Sequence, residues 1–215
     1  MPFNDPAKNV MLDALDESNT QITHVGICTL SDPGTGANMN AVEATGGSPA
    51  YARQAVTWGG AASGAKSNTN TLTFDVPAGT YGFFAWFNAS TGNTNNYRGY
   101  APFGGATRSF GTVDSAGVTG NVVQSAAHGL ADNDRVMLFN VFSESLPTGV
   151  SEGTVYFVVG STTNTFQVSA TQGGSAVDIT GQGELFFQKV VPEVFAGQGQ
   201  ITVAVGALVL EATAM

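Results

Sequence analysis

Residues 71–76 alternate cleanly along the chain. Leu72, Phe74 and Val76 are apolar, while Thr71, Thr73 and Asp75 are polar. A period of two predicts a strand with one buried face. Pro77-Ala78-Gly79 then marks a turn. Residues 81–87 (YGFFAWF) are almost wholly apolar, as in a strand covered on both faces. Two strands joined by so short a turn are expected to pair as a hairpin, with the flanking segments covering it.

The same reading extends in both directions. Residues 4–17 form the one segment with helical spacing. Asn4 or Asp5 can cap it, Pro6 suits its first turn, and Val10, Met11, Ala14 and Leu15 share a face. Ser18-Asn19 is expected to end it. Residues 22–30 and 51–58 are predicted strands. In the second, Ala52, Gln54 and Val56 face one way and Arg53, Ala55 and Thr57 the other. Residues 31–40 (SDPGTGANMN), 59–70 and 88–96 are loops by composition, and 97–102 is a short strand.

A change of texture follows. Residues 104–113 are a Gly/Thr/Ser connector, and a second run of short strands begins near 112. Candidates are 121–125, 135–142, 154–159, 165–169, 177–179 and 184–189, separated by glycine-rich turns. Strands at such spacing suit a small barrel or sandwich. After Pro192 two further strands are expected, 200–205 and 207–211. They have no core of their own, and the N-terminal segment has too few strands to close a sandwich. Residues 1–110 and 191–215 are therefore expected to form one discontinuous domain, with 111–190 inserted at a surface loop. Two tandem domains, with the last strands belonging to the second, are the alternative.

Composition narrows the function. Hydrophobic residues make up 42% of the 215 positions, enough for a core, but charged residues only 11%. A surface of neutral polar groups and glycine turns suits an all-β protein that assembles with others. The net charge of −9, with only seven Lys and Arg, argues against nucleic acid as the main partner. Cys28 is the lone cysteine and cannot form an intrachain disulfide; it is expected to be a small core residue. No leader peptide or membrane-spanning run is expected.

Motifs that would carry chemistry are broken ones. Gly59, Gly64, Lys66 and Ser67 imitate a phosphate loop, but Ala65 separates the Gly-Lys pair and no helix pattern follows. GGSPA at 46–50 imitates a nucleophile elbow around Ser48, with Ala50 in place of the second glycine. Two histidines and one cysteine fall short of a usual zinc site. Asp132-Asn133-Asp134, Glu144 and Glu152 sit in one half of the second run. A turn built on local side-chain bonding explains the triplet, and no spacing pairs the carboxylates as acid and base or around calcium. His128 before Gly129 is expected to bond backbone at a strand entry. No catalytic residue, cofactor or metal is expected. The aromatic strand 81–87 and the polar loops 92–96 and 161–164 leave one binding idea, a glycan or partner contact at Trp86, Tyr97 and Tyr100.

GGSPAYARQAVTW, TNTLTFDVPAGT, FNASTG and PEVFAGQGQITVAVGALVL, with DPAKNVMLDALDE and ITHVGICTLSDPGTGAN before them, resemble a family of tailed-bacteriophage virion proteins. These are variously minor tail, tail-fibre-like or head-decoration proteins. The resemblance covers most of residues 4–103 and 191–212. SAAHGLADNDRVMLF, LPTGVSEGTVYFVV and NTFQVSATQGGSAVDITGQGE resemble a separate β-module inserted in phage tail and adhesion proteins. The fold expected is thus an all-β, jelly-roll-like sandwich with a short N-terminal helix and an inserted small β-barrel or sandwich. The resemblance implies a non-enzymatic structural component on the exterior of a tailed phage virion. It would assemble with major capsid or tail proteins and with itself, in symmetric oligomers of three-fold or higher order, the inserted domain projecting outward. Host-surface glycan is the alternative partner.

Overall fold

The computed structural model describes residues 5–14, 21–31, 33–93, 95–104, 108–113, 121–141 and 144–212. The fold is all-β with a short N-terminal helix. The chain clusters into two compact units. One comprises Met1–Thr29, Pro33–Ala101 and Glu193–Met215; the other comprises Leu30–Asp32 and Pro102–Pro192.

In the first unit, β1 (His24–Thr29) and β5 (Gly79–Phe87) are antiparallel partners at the centre of a five-stranded sheet. β2 (Gln54–Ala55) continues it beyond β1, while β6 (Tyr97–Pro102) and β13 (Glu193–Phe195) pair with β5. β4 (Leu72–Val76) pairs with β14 (Gly199–Val203), and β3 (Ala65–Ser67) with β15 (Val209–Glu211). Every strand after Pro192 therefore finds its partner in the segment before residue 102. Phe74, Phe83 and Phe87 have no accessible surface, and each such ring contributes about 1.5–3 kcal/mol by burial.

The expected hairpin of residues 71–87 does not form. β4 and β5 are consecutive but belong to different sheets. Only Pro77 and Ala78 separate them, and the Tyr81 hydroxyl donates to the Pro77 carbonyl at 3.0 Å. The chain turns a corner there instead of folding back, so each strand pairs with a segment far away in sequence.

Other expectations change as well, among them the loop at 59–70, which contains β3. The strand at 51–58 shrinks to Gln54–Ala55 plus a bridge from Trp58 to Asn68, because Tyr51 and Arg53 turn inward toward Glu43. The loop at 31–40 runs into a helical turn, α2 (Met39–Val42), whose Met39 and Val42 are buried. Helix α1 covers Asp5–Asp13; the helix end expected at Ser18-Asn19 lies outside the described residues.

The second unit is a closed barrel in the order β10-β11-β8-β7-β12-β9. Its strands are β7 (Ser109–Val113), β8 (Val123–Gln124), β9 (Arg135–Phe139), β10 (Val155–Val159), β11 (Thr165–Ser169) and β12 (Gly183–Val190). β7 lies where a connector was expected. Its Gly111 is packed so closely that a Cβ would meet Val123 Cγ1 at 2.7 Å, so this glycine serves wall packing and not chain flexibility. Conversely, 177–179 is no strand. Val177 makes a single backbone bond to Val168, and Ile179 donates to the Asn121 side chain. Val123, Val136, Leu138, Val158, Phe166, Val168 and Leu185 fill the interior, with Phe166 edge-on to Phe187 at 5.0 Å. Among the described residues no helix is long and apolar enough to cross a membrane.

Candidate interaction surface

The most elaborate polar construction among the described residues begins at a glycine. On β1, Gly26 lies opposite Ala85 of β5. Two small residues side by side leave a trough on that face of the sheet. A Cβ on Gly26 would stand 2.9 Å from each of Glu43 Oε1, Tyr51 Oη and Phe87 Cε2, so the missing side chain makes room for these three groups.

Glu43 follows α2, and Arg53 reaches the trough from the segment before β2. Their side chains are 10% and 4% exposed. Arg53 grips Glu43 with two parallel bonds, Nε to Oε1 and Nη2 to Oε2, each 2.7 Å. This planar fork is the geometry that makes a buried Arg–carboxylate pair tolerable. The guanidinium lies 3.3 Å above the Phe87 ring centroid, adding a cation–π contact. Tyr51 donates to Glu43 Oε1 at 3.0 Å and accepts the Ile27 N–H at 2.9 Å.

The remaining donors of Arg53 hold main chain. Nη1 donates to the carbonyls of Ala89 (3.3 Å) and Gly92 (2.8 Å), and Nη2 donates to Asn93 Oδ1. Asn93 in turn donates to Asn40 Oδ1. Tyr97 donates its hydroxyl to the Gly34 carbonyl at 3.0 Å. Gly36 sits under the Tyr97 ring with φ +86, where any Cβ would collide with that ring. One buried ion pair, with the Tyr97 contacts, therefore cross-ties residues 33–43 to residues 88–93 and 95–97. Hydrogen bonds fix the side chains of Asn40, Asn93 and Asn96, and beside them the exposed Asn95 accepts Arg98 Nη1 at its carbonyl at 2.7 Å.

The charges of the pair are felt by their neighbours. Burial, then the Glu43 carboxylate, pushes the Tyr51 hydroxyl far above its ordinary range. The same two causes, in the same order, push up the Cys28 thiol. Burial, then Arg53, lowers His24 below the usual imidazole value. Cys28 is a small, fully buried side chain.

The three aromatic residues expected to make a contact are placed as follows. Trp86 is 9% exposed, stacked on Phe84 at 6.3 Å and edge-on to Trp58 at 6.5 Å. Tyr97 and Tyr100 are half-buried, edge-on to Phe87 at 5.9 Å and to Phe83 at 5.8 Å. Phe83 and Phe87 alternate with Trp86 along β5, so Trp86 lies on the opposite face of the strand from the two tyrosine contacts. The three rings do not converge on one platform.

The broken motifs fall into structural roles. Lys66 is buried and donates to the Leu12 carbonyl. The Ser48 N–H is held by Gln198 Oε1 at 3.1 Å. Asn133 takes a positive φ of 73 between its two aspartates. Asp132 Oδ1 accepts the Ser161 N–H at 2.8 Å; Asp134 Oδ2 accepts from Ala131 N at 2.9 Å and pairs with Lys189 at 2.7 Å. His128 Nδ1 accepts the Leu130 N–H at 3.0 Å, leaving Nε2 to donate to the Thr165 carbonyl at 3.3 Å. These contacts edge an open depression of about 660 Å³ beside loops 127–132 and 161–163. No group of three or more His, Cys, Asp or Glu able to hold a metal occurs among the described residues.

Glu43 and Arg53 were not singled out in the sequence. A signal was there: between residues 33 and 74 only Glu43, Arg53 and Lys66 carry charge. Charges so sparse in an otherwise uncharged stretch are candidates for burial in pairs. Comparison with protein families, with characterised proteins and with solved structures found no match for this chain.

Proposed function

We propose that the chain is a non-enzymatic structural protein on the exterior of a tailed phage virion, a minor tail, tail-fibre-associated or capsid-decoration component. It works by protein–protein assembly through the loop face built on Glu43 and Arg53. The observation that carries this reading is the use made of that pair. Its hydrogen bonds go to loop backbone, a construction that fixes the shape of a surface. A preformed surface loses little conformational entropy on docking. Low charge lowers the desolvation cost of contact, and the phage-like strings quoted above supply the context. Other virion proteins and further copies of this chain are the proposed partners. The test is antibody-gold electron microscopy of gradient-purified particles from the genome that encodes the chain. Discrete labelling at the head or tail is expected; particles free of the protein would end the proposal.

A second reading, an adhesion module for host-surface glycan, draws on the same loops. Fixed amides suit sugar hydroxyls, but Trp86 offers little ring surface and Tyr97 uses its hydroxyl internally. A glycan array run with the parent and Asn95→Ala chains decides it. Binding that falls in the variant supports this reading, and signal at background removes it.

A further inference from the structure

We infer that α1 is a latch that opens on its own, independently of the sheet beneath it. Among the described residues, the contacts that hold it at Asn9, Leu12 and Asp13 are largely polar and come from one face. Asn9, Leu12 and Asp13 stand at i, i+3 and i+4, the spacing that aligns side chains on a helix. Asn9 Oδ1 accepts the Gly64 N–H at 2.8 Å, and Asp13 Oδ1 accepts the Ala61 N–H at 2.9 Å. Lys66 Nζ reaches the Leu12 carbonyl at 3.3 Å and Asp13 Oδ1 at 3.4 Å, placing a cation at the negative end of the helix. Leu12 is 5% exposed, while Val10 and Met11 point away from the seat at 71% and 39%.

The balance favours separate opening. A nine-residue helix is marginal by itself in water, so α1 persists only while docked. Its described face buries one large apolar residue, against the fully buried phenylalanines of β4 and β5. Elements held by few apolar contacts open locally well below the cost of global unfolding. Opening uncovers Lys66, whose side chain has no accessible surface when the latch is shut. It frees the Ala61 and Gly64 N–H groups in the same event. The seat so exposed is a cation and two amide donors at the edge of β3.

Native-state hydrogen exchange on the full chain tests this. Amides 9–13 of α1 and those of Ala61 and Gly64 should exchange as one group, at least about a hundredfold faster than the core amides of β1 and β5. Asp13→Ala, which removes the Ala61 bond and the longer Lys66 contact, should speed that group by a further factor of about five or more and leave β1 and β5 unchanged. Asn9→Ala, which touches only the Gly64 bond, should act in the same direction. Protection of α1 equal to that of β5 would overturn the inference. So would an Asp13→Ala effect spread evenly over the whole first unit.

Discussion

Replacing Arg53 with Met is the most informative single change. It keeps much of the side chain's length over the Phe87 ring and removes the guanidinium. Glu43, with its side chain 10% exposed, would lose both 2.7 Å bonds and keep the Tyr51 hydroxyl. Orphaning one member of a buried ion pair costs about 3–5 kcal/mol. The carbonyls of Ala89 and Gly92 lose a donor as well, but the loop can turn them to water, so their share is smaller. With an m-value of about 2 kcal/mol/M, a loss of about 4 kcal/mol moves the urea midpoint down by about 2 M. Both tryptophans, Trp58 and Trp86, lie in the first unit, so their fluorescence follows that unit and not the barrel. The double variant Arg53→Met/Glu43→Leu removes the orphaned charge and should recover about 2–3 kcal/mol of the loss. It should not restore the loops: proteolysis within 88–97 should stay faster than in the parent. A single-variant loss below about 1 kcal/mol would show that Glu43 is not left orphaned by the change, as would a double variant no more stable than the single.

Four other outcomes follow. Gly149→Ala places a methyl at φ +111 against the Asp178 backbone carbonyl, so it should unfold the barrel early by far-ultraviolet circular dichroism, with the tryptophan transition in place. Gln198→Ala loses the bonds to Ser48 N and Pro49 O and should lower the tryptophan-detected unfolding free energy by about 0.5–1.5 kcal/mol; no change would mean that this link contributes nothing. His24 has a lowered affinity for protons in the folded chain, so the unfolded state binds more of them. Stability should therefore rise with pH between the lowered folded value and the ordinary 6.5, and His24→Gln should flatten that slope in urea titrations. Cys28, buried and with its thiol pushed up, should resist a thiol reagent in native buffer and react at once in urea; prompt native labelling would contradict its placement.

Strands were legible where two-fold alternation was strong, as at 71–76 and 200–203. They were missed where glycine masked them: β7 carries Gly111 for close packing, and composition alone cannot separate that use from a flexible connector. The hairpin error has a different source. Local pattern identifies a strand but not its partner, and β4 pairs with residues more than a hundred positions away. The same limit hid the loop face. Glu43 and Arg53 are ten residues apart, and what they hold lies near residue 90. Only the fold brings the three segments together. The aromatic residues were visible by type, but alternation along β5 sends Trp86 to one face and the partners of Tyr97 and Tyr100 to the other.

The claim that the loop face is where this chain meets its neighbours is tested most directly by photo-crosslinking in assembled particles. A benzoylphenylalanine at position 95, on that face, is compared with one at position 163, on the barrel. A discrete crosslink is expected from position 95 to another virion protein or a second copy of this chain, weakened when Arg53→Met loosens the loops. Particles that contain the protein yet give no crosslink from position 95, or one that Arg53→Met leaves untouched, would contradict it.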